Sequence, residues 1–312
     1  MRIVSILLLF AVFSAHAQFD GAGGELGSRS IHKDHEAISE WAASAEIERG
    51  YMQVNDTALG KPSVGTVNSA LGPVDGDVLS LGDGGVVVLT FDDPIVNRSG
   101  YDFAVFENGF KVGLSYYLEL AHVEVSKNGV DYTRFPSESL VDTSFQTNNF
   151  SYTDPRLLYN LAGKHQAPYG SLFDLDEIGL DTINYVRLID VVGSVNDSFG
   201  SRDSKGRLIN DPWPSPFESS GFDLDAVGIV NGAILKREEH VLSNVKIYPT
   251  RTRSNASINV DAPEGSDTRV FDMHGKEVLV ATSNRFRIST AGVYVVQVSN
   301  GTRLYTQKVI LY

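Results

Sequence analysis

Leu118-Glu119-Leu120-Ala121-His122-Val123-Glu124-Val125, Ser126-Lys127-Asn128-Gly129-Val130-Asp131 and Tyr132-Thr133-Arg134-Phe135 form the stretch on which the fold turns. The first run is rich in Val and Leu and reads as a strand. Asn-Gly between two β-prone runs is a strong hairpin signal, because the turn needs positive φ at its centre. Tyr132 to Phe135 is the returning strand. Working outward, Val86 to Phe91 follows Gly82-Asp83-Gly84-Gly85, a turn feeding a strand. Phe103, Val105 and Glu107 alternate with Asp102, Ala104 and Phe106. Tyr185 to Ile189 and Phe222 to Ile229 read as two further strands. One segment has helical spacing: Asp34 as cap, then Ile38, Trp41, Ala42 and Ala45 to Ile47, with Gly50 as the stop. Short strands without regular helices between them predict a β-sandwich rather than a βαβ sheet. The spans 142–170 and 193–221 are expected as long loops, and loops that long are usually functional.

Composition narrows the classes. The 312 residues are 42% hydrophobic and 21% charged, a globular balance. Net charge is −13, from 26 Lys+Arg against 39 Asp+Glu, which argues against nucleic acid as a partner. Cysteine is absent, so disulfides, thiolate metal sites and cysteine nucleophiles are excluded. Arg2, the apolar run Ile3 to Phe13 and Ala15-His16-Ala17 compose an export signal over residues 1–17, cut before Gln18. That run is shorter than the roughly 20 residues a membrane helix needs, and no later stretch qualifies.

Charge also divides the chain. Residues 245–312 hold nine Lys/Arg against five Asp/Glu, whereas residues 18–244 sum to −18. An acidic body of residues 18–235 is thus expected to join a small basic tail, 245–312, through a polar linker at 236–244.

The tail resembles the C-terminal sorting domain of type IX secretion cargo in Bacteroidota. The resemblance is carried by Val245-Lys246-Ile247-Tyr248-Pro249, Ile258-Asn259-Val260, Val270 to Leu279, Ala291 to Val298 and Lys308-Val309-Ile310-Leu311. It departs at Pro249-Thr250-Arg251, where the family commonly shows Pro-Asn-Pro. The resemblance implies an immunoglobulin-like sandwich, handling by the outer-membrane translocon, and surface attachment or release. The body is similar to a family of bacterial cell-surface proteins through Ser80 to Gly85, Asp102 to Phe110, Asn160-Leu161-Ala162-Gly163, Asp211-Pro212-Trp213-Pro214 and Gly221 to Gly228. Its Val123–Phe135 hairpin looks like that of galactose-binding-like jelly rolls. These resemblances imply a jelly-roll-like surface domain and no particular reaction.

Acid placement suggests a metal. Strand alternation predicts Asp223 and Asp225 on one face, with Phe222, Leu224 and Ala226 on the other. Asp190, Asp197, Asp203 and Asp211 lie on or beside the loop that leads there. Calcium takes six to eight oxygen ligands, and these six aspartates are its candidate ligands. The same residues equally suit capping turns and accepting loop N–H groups. Asp102 and Glu107 flank another strand. Asp197 to Gly206 lacks EF-hand spacing, no Gly-x-Ser-x-Gly elbow occurs, and the histidines assemble no zinc set. Prolines 212, 214 and 216 stiffen a loop that carries Trp213 and Phe217. Trp213, Phe217 and Tyr169 are the candidate ligand-stacking residues, with core packing as the alternative for the first two.

The sequence therefore predicts an all-β, jelly-roll-like sandwich with one short N-terminal helix, followed by a small sandwich tail. It predicts an exported, non-catalytic surface protein that binds a glycan or other small ligand with structural calcium. Three other readings stay open: capture of a corrinoid or other nutrient beside an outer-membrane receptor, a glycoside hydrolase using Asp223 and Asp225, and a structural surface-layer component.

Overall fold

The computed structural model describes residues 19–231, 245–273, 275–281, 283–300 and 303–312. The export signal at 1–17 and the linker at 236–244 lie outside the described residues. The chain divides into two compact units, residues 1–236 and 237–312. Among the described residues both are built of β-strands, with four short 3-10 turns in the first and no helix that reaches seven residues.

The strands of the first unit are β1 (Ser30–His32), β2 (Ile38–Trp41), β3 (Ser44–Glu48), β4 (Leu79–Ser80), β5 (Val86–Val96), β6 (Phe103–Glu107), β7 (Phe110–Val112), β8 (Ser115–Tyr117), β9 (Ala121–Ser126), β10 (Thr133–Arg134), β11 (Glu138–Ser139), β12 (Leu158–Tyr159), β13 (Tyr169–Phe173), β14 (Thr182–Asp190) and β15 (Asp223–Val230). One sheet runs β1-β13-β6-β15-β2, with β4 also on β15. The other runs β10-β9-β14-β5-β3, and its pairs are antiparallel. Phe103, Val105, Leu224, Val227 and Ile229 of the first sheet meet Val87, Leu89, Val123, Val125, Val186 and Leu188 of the second in one core. The period-two alternation of β5, β9 and β14 puts those residues on one face. The first sheet is buried on both sides, since Ala104, Phe106, Ala226 and Val230 form a second apolar layer with Ile31 and Leu172. That explains why β6 and β15 read as nearly continuous apolar runs.

The hairpin expected at Asn128-Gly129 forms, with a longer connection than a tight two-residue turn: β9 and β10 pair at Val125 and Thr133, and residues 126–132 join them. Gly129 has φ +74°, and Asn128 Oδ1 accepts the N–H groups of Val130 and Asp131. The helix expected between Asp34 and Gly50 does not form. Its residues are β2 and β3, which join different sheets: β2 pairs with β15 and β3 with β5. Ala45 and Ile47 pack on the core while Ser44, Glu46 and Glu48 face solvent, a strand period lying beneath the helical spacing. Gly228 leaves room for the Ile38 and Trp41 side chains of β2, since a Cβ there would sit 2.8 Å from Ile38 and 3.0 Å from Trp41. Pairing to two sheet edges far away in sequence outweighs the local preference.

A second correction concerns β15. A β-bulge between Leu224 and Ala226 leaves Asp225 as the extra, unpaired residue. Leu224 and Val227 then share the core face while Ala226 joins the outer layer. The simple alternation expected for Asp223 and Asp225 stops there.

The second unit holds β16 (Lys246–Tyr248), β17 (Arg251–Thr252), β18 (Ile258–Asp261), β19 (Asp267–Asp272), β20 (Glu277–Ala281), β21 (Arg285–Phe286), β22 (Gly292–Asn300) and β23 (Arg303–Leu311). A three-stranded sheet, β16-β18-β21, and a five-stranded sheet, β17-β23-β22-β19-β20, enclose Ile247, Ile258, Val260, Val270, Val296, Val298 and Val309.

Candidate functional site

Trp213 and Phe217 lie on the 193–221 loop, but the two rings have different surroundings. The Trp213 indole N–H donates to Asp83 Oδ2 at 2.8 Å, and the ring is half-buried. Asp83 Oδ2 also accepts the N–H of Val54 at 2.8 Å, so Trp213 ties its loop to the β4–β5 turn. Phe217 is 55% exposed. Tyr169 lies elsewhere, on β13, edge-on to the His32 ring and close against Gly23 and Gly24. The structure does not gather the three rings around one surface.

A different cleft is present. The β7–β8 hairpin and the segment 152–156 enclose about 270 Å³, lined by Leu114, Ser115, Tyr116, Tyr152, Thr153, Asp154 and Arg156. The hairpin is short and its tip projects: Leu114 is 91% exposed. The N–H of Thr153 donates to the Tyr116 carbonyl, which fastens the two walls together. Tyr152 is 48% exposed, whereas the Tyr116 ring is buried beneath Lys111, whose Nζ lies 5.3 Å from its centre. Phe110 stacks on Tyr117 on the same hairpin. Asp154 caps the short turn that begins at Pro155 by accepting the Arg156 N–H. Arg156 in turn holds Glu25 Oε2 at 2.6 Å, so the N-terminal arm braces this wall. An apolar aromatic face beside a guanidinium, a carboxylate and the Ser115 and Thr153 hydroxyls suits a small polyhydroxylated ligand, and the volume is just below the roughly 300–1,000 Å³ of drug-sized ligand clefts. Of these residues, Tyr152 to Arg156 fall in the span 142–170 that the sequence marks as a long loop. The alternation of Phe110, Val112, Leu114 and Tyr116 around Gly113 was the remaining available signal.

Six buried carboxylates of the first unit couple to one another: Asp83, Glu107, Glu119, Asp190, Asp211 and Asp223. Glu107 ends β6, Asp190 ends β14 and Asp223 begins β15, while Glu119 follows β8 and Asp211 comes from the 193–221 loop. Glu107 Oε2 accepts the N–H of Gly109 at 2.7 Å, and Glu107 Oε1 has no partner. Asp211 Oδ2 accepts the N–H of Leu120. Asp223 accepts the Ser80 hydroxyl and, at 3.2 Å, the Asn108 amide. Asp190 accepts Phe222 N–H at 2.7 Å and Gly84 N–H at 2.9 Å. Among the described residues, none of the six has a Lys, Arg or His ion-pair partner. Burial, then the charges of Asp223 and Asp211, pushes Glu107 well above the usual carboxylate range. Glu119 rises through burial and then Glu107. Burial lifts Asp223 to about 6, and burial with Asp83 lifts Asp190 to about 8.

The six aspartates proposed as calcium ligands from the sequence therefore separate. Asp190, Asp211 and Asp223 join this group. Asp203 instead binds Arg207 and three backbone N–H groups, Asp197 faces solvent beside Arg202, and Asp225 accepts the N–H groups of Asp75 and Gly76. Among the described residues, no three acidic or imidazole groups converge closely enough to hold an ion as they stand.

The carboxylates also set a pH dependence. Asp102, raised by burial to about 6, and Asp190, raised to about 8, bind protons more tightly folded than unfolded, where aspartate titrates near 3.8. Their contribution is fully present below about pH 4 and is lost as pH rises towards 8. Asp20 has the opposite sign: burial pushes it up, but His165 and Lys164 hold it low overall, so its contribution is lost only in strong acid. In chelator, the melting temperature of the first unit should therefore fall by several degrees between pH 5 and pH 8. A flat or rising profile over that window would contradict the assignment.

Residues 246–312 match the family model of the secretion system C-terminal sorting domain. The chain thus carries a type IX sorting tail, which indicates export to the cell surface or secretion and handling by the type IX machinery. No described helix is long and apolar enough to cross a membrane. No curated protein matches the chain in sequence. Among solved structures, a Faecalibacterium prausnitzii β-glucuronidase is 13% identical over 90% of this chain and 46% of its own, with a TM-score of 0.28. A Ruminococcus gnavus β-glucuronidase is 10% identical over 91% and 44%, with a TM-score of 0.24. The BSP domain of a biofilm-associated protein is 10% identical over 89% and 53%, at 0.18. This chain spans less than half of either glucuronidase. Likeness at this level carries no argument about activity.

Proposed function

We propose that the first unit is a non-catalytic binding module for a glycan or similar polyhydroxylated ligand, displayed outside the cell by the sorting tail. The observation that carries this reading is the cleft between the β7–β8 hairpin and segment 152–156, where the half-exposed Tyr152 lies beside Arg156 and Asp154. A sugar ring placed there stacks its C–H face on Tyr152 and offers hydroxyls to the charged groups. The cleft is small, so it takes one end or one unit of a glycan rather than an extended chain. Trp213 is less suited to the role, since its indole N–H is committed to Asp83.

The test is a glycan array followed by calorimetry on the whole chain. Saturable binding is expected, weakened at least tenfold by Tyr152→Ala or Arg156→Ala, about 1.4 kcal/mol. Trp213→Ala should leave affinity within a factor of about three, roughly 0.6 kcal/mol. Silence across the array, or a hit that only Trp213→Ala weakens, would overturn this assignment.

A further inference from the structure

Glu107, Glu119, Asp211 and Asp223 come from four separate segments and meet at one end of the first sandwich. The joins are visible in the backbone. Glu107 is the strand partner of Leu224, beside Asp223, and Asn108 donates to Asp223 itself. Asp211 accepts the N–H of Leu120, the residue after Glu119. Gly163 packs against both the Glu119 carbonyl and the Phe222 ring, so the Glu119 and Asp223 segments share a neighbour. Each of the four residues is less than a tenth exposed. Glu107 is 2% exposed, and its Oε1 lies in this group with no donor.

An unpaired buried carboxylate loses its hydration without recompense. Four together, with no cationic side chain among the described residues, call for a positive charge from outside the chain. The donors are all hard oxygens, with neither Cys nor His, which selects calcium or magnesium over zinc or copper. Four carboxylates offer up to eight oxygens, enough for the six to eight that calcium takes in an all-protein cage, whereas magnesium keeps much of its water. The four do not hold an ion as they stand, and binding would require their side chains to turn inward; Glu107 and Glu119 have the longer side chains.

We propose that Glu107, Glu119, Asp211 and Asp223 bind one divalent cation of the calcium class, which ties the β6, β8–β9 and β15 segments and the 193–221 loop together. The site differs from the aspartate set that the sequence suggested, and it does not depend on the glycan reading.

The experiment uses the whole chain, stripped with chelator and then titrated with calcium chloride or magnesium chloride. Equilibrium dialysis should find a calcium ion that binds to the wild-type chain and not to Glu107→Gln. Melting temperature should rise by about 5–10 °C with saturating calcium, and less with magnesium. Asp211→Asn should lower calcium affinity at least tenfold. In chelator both variants should melt close to the wild type, because the amide keeps an oxygen to accept the Gly109 or Leu120 N–H. An Asp197→Asn control should bind as the wild type does. No bound ion at millimolar calcium, or binding that Glu107→Gln leaves unchanged, overturns the proposal. Should Asp211→Asn fail to fold, the wild type and Glu107→Gln still decide the question. The readout involves no glycan, so its failure leaves the cleft assignment standing.

Discussion

Gly163→Ala is expected to lower the melting temperature of the first unit by at least about 10 °C. Gly163 has φ +77°, where an alanine costs about 1 kcal/mol. Sterics add more. A Cβ at this position would lie 1.8 Å from the backbone oxygen of Glu119 and 3.0 Å from the Phe222 ring. Neither neighbour can yield cheaply, because Ala162 and Ala121 exchange backbone hydrogen bonds beside it and Phe222 is fully buried. Overpacking of this kind costs about 1–3 kcal/mol and more when backbone must move. At about 2–4 °C per kcal/mol for a domain of this size, the two terms give about 4–16 °C, and the approach to backbone rather than to a flexible side chain puts the drop in the upper part of that range. Gly179→Ala is the control, since φ there is +66° but nothing lies within 4 Å. It should lose only about 2–4 °C. Equal losses in the two variants, read by thermal denaturation, would show that conformation alone decides and that the close approach does not.

Asp190→Ala should cost nearly as much, for an electrostatic reason. Its two oxygens accept Phe222 N–H and Gly84 N–H, and so fasten the start of β15 and the β4–β5 turn to the end of β14. Alanine leaves both donors without that acceptor. Each buried unsatisfied group costs about 1–3 kcal/mol, which predicts a fall of about 5–15 °C. Relief of repulsion with Asp83 and Asp223 works against this, but it removes no donor's need. Asp190→Asn keeps one acceptor oxygen, and Asp190 is itself held largely neutral by burial, so less than half of the effect is expected. An alanine variant within 2 °C of the wild type would show that this latch holds nothing.

The contrast between these two positions shows how legible the molecule was. Asn128-Gly129 announced its hairpin because the signal is local: Gly129 turns the chain at φ +74° within the connection 126–132. The β5 and β14 strands were legible because their alternation is local and one face is buried. The segment 34–50 was not. Ile38, Trp41, Ala45 and Ile47 fit a helical face as readily as two strands, and what decides between them is β15, nearly 190 residues later, pairing with β2. Asp225 carried no sign of its bulge, because the register of β15 against β6 is set by the partner. The aspartates were recognised as unusual by number, yet Asp203 and Asp211, eight residues apart, have opposite surroundings. Asp203 meets Arg207, and Asp211 is buried with a backbone N–H and other carboxylates for neighbours.

The sequence by itself determined what a few adjacent residues can enforce: the all-β class, the strands with clean alternation, the Asn-Gly turn and the sorting tail, whose strands follow one another in a short span. Only the tertiary structure decided which segments lie side by side. It split 34–50 between two sheets, raised the β7–β8 hairpin against Tyr152, and brought Glu107 and Glu119 to Asp211 and Asp223. The physical reason is that burial, lost hydration and mutual repulsion belong to groups brought together in space, and no single segment carries a record of the neighbours that supply them.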